Sequence, residues 1–194
     1  MKHSQIILAS TSRYRRELLN RVLTDFQCES PNVDEQAFHS PSITPLQLAV
    51  QLAQEKTIAV ARRFPEAVVI GSDQLVDLNG IVLGKPGTHD GAVLQLNSMS
   101  GKSHRLLTAV CVAGPDKQVE FVNETHLVMR TLTDAEVARY VEHDAPFDCA
   151  GSYKIECLGI SLFDQIETED FTAIMGLPLI ELSRVLRDFG VSIP

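Results

Sequence analysis

The chain has 194 residues, 44% of them hydrophobic, and a formal net charge of −8, enough apolar content for one sizeable core or two lobes sharing one sheet, and too little length for several independent domains. With a pI of about 5.2 and no dense Lys/Arg run, its field repels a nucleic-acid backbone, so a polynucleotide partner is not expected. An acidic protein still binds a small anion where a few cations converge, above all when a divalent metal travels with that anion.

Met1-Lys2-His3-Ser4-Gln5 precedes a run of only four apolar residues, too short for a signal-peptide core. No later run approaches a membrane span, so the cytoplasm is the expected location and no membrane partner is foreseen. Ile6-Ile7-Leu8-Ala9 reads as a strand, Ser10-Thr11-Ser12 as helix N-cap types, and Arg13 to Leu19 as a helix. Pro45 opens the clearest helix, in which Leu46, Ala49, Val50, Ala53, Val60, Ala61 and Phe64 recur at helical spacing. Ala67-Val68-Val69-Ile70 has no polar alternation, as in a strand covered on both faces, and Gly71-Ser72-Asp73-Gln74 is expected at its end, on a sheet's rim. Asn79-Gly80 joins Leu75–Leu78 to Ile81–Leu83 as a hairpin, closed by Gly84-Lys85-Pro86. Thr88 can cap a helix to Met99, stopped by Gly101. His104–Val112 and Gln118–Arg130 read as antiparallel strands around Gly114-Pro115-Asp116-Lys117. Thr133-x-x-Glu136 is a capping box for a helix to about His143, and a last helix runs from Pro178 to Phe189 before Gly190. Alternating helices and strands with at least two hairpins predict a mixed α/β sheet. The four cysteines (Cys28, Cys111, Cys149, Cys157) lack C-x-x-C spacing and the six histidines are scattered, so the former read as reduced packing residues and the latter as surface groups.

Polar groupings stand at the ends of these elements, where loops on a rigid scaffold place function. Ser10 to Arg16 offers hydroxyls, backbone N–H groups and guanidinium forks suited to a phosphate chain, although on pattern alone a capped surface helix is the favoured reading. Val33-Asp34-Glu35 could hold a hard cation or be solvated. Lys56 lies at the edge of its helix's apolar face, aimed at a cleft or snorkelling to solvent. Asp73 at the end of a buried strand can bind metal or activate a water for attack on phosphorus, with Lys85 offsetting phosphate charge; an Asp turn beside a hairpin lysine is the plain alternative. The common phosphate, dinucleotide, zinc-protease and hydrolase-elbow motifs are absent.

Leu8-Ala9-Ser10-Thr11-Ser12-x-x-Arg15-Arg16, Val33-Asp34-Glu35, Leu52-Ala53-x-Glu55-Lys56, Ile70-Gly71-Ser72-Asp73-Gln74, Gly84-Lys85-Pro86 and Ala150-Gly151-Ser152-Tyr153-Lys154-x-Glu156, in that order, resemble the Maf-like family, from Ile6 to Gly176-Leu177-Pro178-Leu179. The resemblance implies one domain over 1–194 with an inosine-triphosphatase-type (Maf/Ham) fold, a mixed parallel and antiparallel α/β sheet in two lobes with a central cleft. It implies metal-dependent hydrolysis of a nucleoside triphosphate to monophosphate and pyrophosphate, with magnesium or manganese, and a homodimer. Asp73 then matches the family's proton acceptor, and Ser10, Arg15, Glu35, Lys56 and Lys85 match the polar set around the triphosphate, with Glu35 and Asp73 as metal contacts.

Gln74 and Glu156 are similar to the family branch that acts on N7-methyl-GTP, whereas the dTTP and UTP branch carries Thr and Gln at these positions. N7 methylation makes guanine cationic, and a cationic ring is favoured by an aromatic face within about 6 Å. Tyr14 can supply that face and Glu156 a carboxylate that also accepts from guanine's N1–H and exocyclic amine. Arg13 stands where many relatives have proline and Tyr14 where some of this branch have tryptophan. The alternatives are a dTTP/UTP pyrophosphatase and, in another class, a non-catalytic nucleotide-binding regulator of cell division, which would have no need for an activating carboxylate.

Overall fold

The structure, a computed structural model, describes residues 5–40 and 42–193; Met1 to Ser4 of the N-terminal reading lie outside the described residues. Strands β1 (Ile6–Leu8), β2 (Gln27–Cys28), β3 (Val68–Leu78), β4 (Ile81–Leu83), β5 (Ser103–Ala113), β6 (Gln118–Met129) and β7 (Phe163–Glu167) are interspersed with helices α1 (Arg13–Leu19), α2 (Pro45–Ala61), α3 (His89–Met99), α4 (Asp134–Asp144), α5 (Phe171–Ile174) and α6 (Leu179–Asp188). The sheet order is β2-β1-β3-β5-β6-β7, with β4 paired to β3. β1 is parallel to β2 and β3, while β3–β4 and β6–β7 are antiparallel, which is the expected mixed sheet. Contacts divide the chain into two compact units, Met1–Asp73 with Thr108–Asn123 and Asp170–Pro194, and Gln74–Leu107 with Glu124–Glu169.

In the first unit, strand alternation sorts side chains onto two faces. Ile6, Leu8, Val68, Ile70, Val110 and Val112 pack with Leu18 and Leu19 of α1 and with Leu179, Leu182, Val185 and Leu186 of α6. Ile7, Ala9 and Val69 face the other way, against Val60 of α2. Helices on both faces explain why these strands carry no polar alternation. The Thr44/Gln47 capping box and Pro45 start α2. Its buried stripe is Leu48, Ala49, Leu52, Ala53, Lys56, Thr57 and Val60, while Leu46, Val50 and Ala61 of the predicted stripe are half-buried. Spacing specifies a helix; which of two overlapping arcs meets the sheet is a packing outcome.

The largest departure is in β3. Gly71, Ser72 and Asp73 are not at a rim but inside a strand that continues to Leu78, and all three are buried. Buried polar groups are tolerated when each finds a partner: Ser72 Oγ donates to the Gly176 carbonyl at 3.1 Å and Asp73 accepts from Lys56 at 2.6 Å.

In the second unit, Asn79 (φ 53°) and Gly80 (φ 88°) supply the two left-handed residues that a tight hairpin turn requires, with Leu78 opposite Ile81. Thr88 caps α3, and Thr133 with Glu136 caps α4. β2 and β7, which the sequence pattern does not reveal, are the two outer strands of the order; short, polar edge strands carry too few residues for a period to register. No helix among the described residues is long and apolar enough to cross a membrane. All four cysteines are free thiols; Cys111 is a buried packing residue as expected, whereas Cys28 on the outer strand and Cys157 in a turn are exposed.

His104 is a correction. It is 4% exposed rather than on the surface, because strand alternation turns it inward, where its ring meets Tyr153 at 5.8 Å and Phe163 at 5.9 Å. Nε2 lies 3.3 Å from the Tyr153 hydroxyl, Nδ1 has no hydrogen-bond partner among the described residues, and burial lowers the imidazole pKa from 6.5 to about 4. Between those values the unfolded chain binds the extra proton, so this residue's contribution to stability is present above pH 6.5 and is lost as pH falls toward 4. Relative to a His104→Phe variant, the unsubstituted protein should lose about 3 kcal/mol of stability across that window. Urea titrations of both proteins at pH 7 and pH 4 measure it; a pH-independent difference would contradict a neutral buried imidazole.

Candidate active site

Of the sequence-derived site residues, Ser10, Tyr14, Arg15, Glu35, Lys56 and Asp73 fall in the first unit, and Gln74, Lys85 and Glu156 in the second. Gly71 and Asp73 share the β3 face that meets α2. A Cβ on Gly71 would stand 2.1 Å from Thr57 Oγ1 and 2.9 Å from the Ala53 carbonyl, so the helix comes this close only because the residue is glycine. The close approach lets Lys56, between Ala53 and Thr57, reach Asp73 directly. Lys56 Nζ lies 2.6 Å from Asp73 Oδ1 and 2.7 Å from Glu35 Oε1, with Lys56 and Asp73 side chains each 8% exposed. Lys56 is therefore an interior cation and does not snorkel.

Of the adjacent acids, Asp34 is engaged locally, capping the 3-10 turn Glu35–Phe38 by accepting from Gln36 N at 3.2 Å. That turn presents Glu35, still half-exposed, to Lys56. Ser12 caps α1 by accepting from Arg15 N. Arg15 Nε donates to the Gly176 carbonyl at 3.0 Å. Burial lowers the Arg15 pKa, opposed by the charges of Asp73 and Glu35, and a guanidinium stays charged regardless. Ser10 is buried at the end of β1, its Oγ accepting from Ser12 N at 3.1 Å. The unit thus gathers two carboxylates with two cations, Arg15 and Lys56.

Glu35 and Asp73 both lie against the Lys56 ammonium. No group of three or more His, Cys, Asp or Glu side chains that could hold a metal occurs among the described residues. Two hard carboxylates fit a cation such as Mg²⁺, which takes one or two protein carboxylates and completes its octahedron from phosphates and water. They do not make a cage that would hold a metal without an anion.

In the second unit, Lys85 is exposed in the loop after β4, Gln74 is half-buried and Glu156 is exposed. Gln95 of α3 ties two of their loops together: its Nε2 donates to the Gly84 carbonyl at 3.1 Å, and its Oε1 accepts from Ser152 Oγ at 2.6 Å. Lys154 has a different task. Its ammonium donates to the Asp144 and Ala145 carbonyls at 2.8 and 3.3 Å, closing the C-terminus of α4, where a cation is favoured by the helix dipole. Tyr14, in α1 of the first unit, already has a cation on its ring, the Arg13 guanidinium at 4.8 Å.

The Maf-like protein model matches residues 5–189 of this sequence. The chain belongs to the Maf-like family. It is 53% identical over 190 residues to a protein of Xanthomonas axonopodis pv. citri named 7-methyl-GTP pyrophosphatase, covering 98% of this chain and 99% of that one. It is 49% identical over 188 residues to a protein of the same name from Bdellovibrio bacteriovorus, covering 97% and 98%. Among solved structures, a HAM1 protein from Coxiella burnetii is similar with a TM-score of 0.50 at 14% identity, over 96% of this chain and 100% of that one. That likeness concerns the fold alone.

For this Maf-like chain, the sequence reading missed the Gly176 carbonyl, the Ser72 hydroxyl and Gln95. Backbone carbonyls carry no side-chain signal, Ser72 appears only as a letter within a motif, and a glutamine on a helix looks like any solvated residue. Removing the buried cation should expose the asymmetry of the Lys56 pair: Lys56→Met leaves Asp73 buried and unpaired and should cost about 3–5 kcal/mol. Glu35→Gln, at a half-exposed carboxylate, should cost about 1 kcal/mol or less. Denaturant unfolding of the two variants decides the matter, and equal losses would contradict a Lys56 held mainly by Asp73.

Proposed function

We propose that this chain is a nucleoside triphosphate pyrophosphatase that hydrolyses N7-methyl-GTP to N7-methyl-GMP and pyrophosphate. The observation that carries the chemistry is the buried Asp73 carboxylate, held at 2.6 Å by Lys56 in a setting shared with Glu35 and Arg15. What supports the substrate is the name 7-methyl-GTP pyrophosphatase on relatives of about half identity over nearly the whole chain.

In this reading Asp73 accepts a proton from a water whose oxygen forms a bond to the α-phosphorus while the bond from that phosphorus to the bridging oxygen breaks, and pyrophosphate leaves with the electron pair. Ser10, Arg15, Lys56 and Lys85 bind the phosphates and stabilise charge growing on the leaving group. Glu35 and Asp73 would hold a divalent cation, magnesium or manganese, that neutralises phosphate charge when bound. The second carboxylate matters because Lys56 can stay paired with Glu35 while Asp73 takes the proton. Tyr14, Gln74 and Glu156 read the base, Glu156 by attraction to the cationic ring and by accepting from its N–H groups. A homodimer and a cytoplasmic setting belong to the same proposal, and the mechanism draws on one chain's residues.

Arg13 over Tyr14 favours a second reading, a dTTP/UTP pyrophosphatase, since a guanidinium already on the ring opposes a cationic base there. Pyrophosphate release from N7-methyl-GTP, GTP, dTTP, UTP and CTP, with magnesium or manganese, separates the two. N7-methyl-GTP should lead, and Asp73→Asn should lower kcat by about 100- to 10,000-fold while the variant still folds and binds nucleotide; full activity in that variant would remove Asp73 from its role. Glu156→Gln should move the ranking toward dTTP and UTP, and an unchanged ranking would remove Glu156 from base reading.

A further inference from the structure

We propose that the Gly176 carbonyl, fixed in place by Asp170 and Thr172, is a positioning group that sets the Arg15 guanidinium beside Asp73. The proposal rests on the reading of Arg15 as a phosphate-binding residue given above.

Asp170 is 5% exposed, and its carboxylate serves two helices at once. Oδ1 accepts from Thr172 N at 2.8 Å and from Thr172 Oγ1 at 2.6 Å, at the start of α5, while Oδ2 accepts from Ile180 N at 2.7 Å in the first turn of α6. Thr172 Oγ1 in turn accepts from Leu179 N at 2.9 Å. The intervening turn, Met175 to Pro178, is therefore pinned at both ends by side chains. It is also pinned from within: Met175 N and Leu177 N donate to the Thr172 carbonyl at 3.1 and 3.4 Å, and Gly176 N to the Ala173 carbonyl at 2.9 Å. Gly176 has φ 110°, a conformation that L side chains rarely adopt. Such a density of bonds around one turn leaves its carbonyl little freedom of direction.

That carbonyl accepts from Arg15 Nε at 3.0 Å and from Ser72 Oγ at 3.1 Å. One oxygen thus links the guanidinium to the residue that precedes Asp73 on β3. Anchoring through Nε keeps the Nη edge of the guanidinium, the edge that binds phosphate oxygens in pairs, out of this contact. It also fixes the plane of the fork, so phosphate meets a pre-oriented group rather than a swinging arm. Asp170 and Thr172 act through Gly176 and Arg15, which makes them positioning residues.

The test is a double-mutant cycle on pyrophosphate release, using the nucleotide of the panel that the unsubstituted chain turns over fastest. Thr172→Val removes the hydroxyl that bridges Asp170 and Leu179 at nearly constant volume, and should lower kcat/KM about tenfold, mostly through kcat. Thr172→Ser should restore it. In an Arg15→Ala background Thr172→Val should change kcat/KM by less than about twofold, because the group it positions is gone. Losses that multiply in the double variant, or an unchanged kcat/KM for Thr172→Val well below its melting temperature, overturn the proposal. Should Thr172→Val fail to fold, Ser72→Ala frees the same carbonyl from its other side and enters the same cycle with the same criteria. Absence of pyrophosphate release from the unsubstituted chain overturns the underlying reading and this role with it; release that Arg15→Ala leaves intact overturns this role alone.

Discussion

The ion pair of Lys56 with Asp73 is buried on both sides, at 8% exposure each, and the arrangement of the first unit follows from having to accommodate it. Taking an ammonium and a carboxylate out of water costs several kcal/mol per ion, which their attraction offsets only when the geometry is short and the remaining hydrogen-bonding capacity is met. Here the contact is 2.6 Å and Glu35 supplies a second carboxylate at 2.7 Å. The contact with Asp73 requires α2 to lie almost on the backbone of β3, and Gly71 opposite Ala53 and Thr57 is what permits that approach. A glycine inside a long buried strand would otherwise weaken it; here it admits the helix that carries Lys56 to Asp73.

Within each unit the molecule uses polar anchors, most of them bonded to backbone groups. Ser12 caps α1, Asp34 caps the turn bearing Glu35, Asp170 closes α5 and α6, and Gln95 ties the Gly84 and Ser152 loops. Each orders a loop residue by a bond that does not consume the charged groups proposed to meet the substrate. This is the division of labour expected when a site must be held to a fraction of an ångström by its supporting shell. It also answers the electrostatic difficulty posed by a chain of net charge −8: an anion is not drawn in by the whole protein's field but can be held by a small number of fixed cations at one place.

Fold and family carry different weights here. The HAM1 protein of Coxiella burnetii shares the architecture at 14% identity, a distance at which residues of a site need not be shared and function does not follow. The relatives near half identity are another matter, since they align over nearly the full chain. Even within a family, local departures count: Arg13 places a guanidinium over Tyr14, so the ring proposed to read a cationic base already stacks with a cation.

The sequence by itself determined the elements that repeat or punctuate: the apolar strand at Val68–Ile70, the Asn79-Gly80 hairpin, the Thr44 and Thr133 caps, and the mixed α/β class. These follow from local rules, the period of burial and the chemistry of caps and turns, which act over a few residues and so remain visible in a string of letters. The order of family motifs is legible in the same way, and it points to Ser10, Arg15, Glu35, Lys56, Asp73 and Lys85 as candidates. What only the tertiary structure decided is where the chain brings distant residues together. Gly71 to Gln74 read as a rim because glycine, serine and aspartate favour turns, yet they continue a strand because α2 and the turn before α6 supply partners for their polar atoms. His104 read as surface and is interior because alternation in β5 turns it onto Tyr153 and Phe163. The Gly176 carbonyl, 161 residues from Arg15 along the chain, has no side chain to announce it. Its role exists only as a direction in space, which the sequence does not spell and packing alone creates.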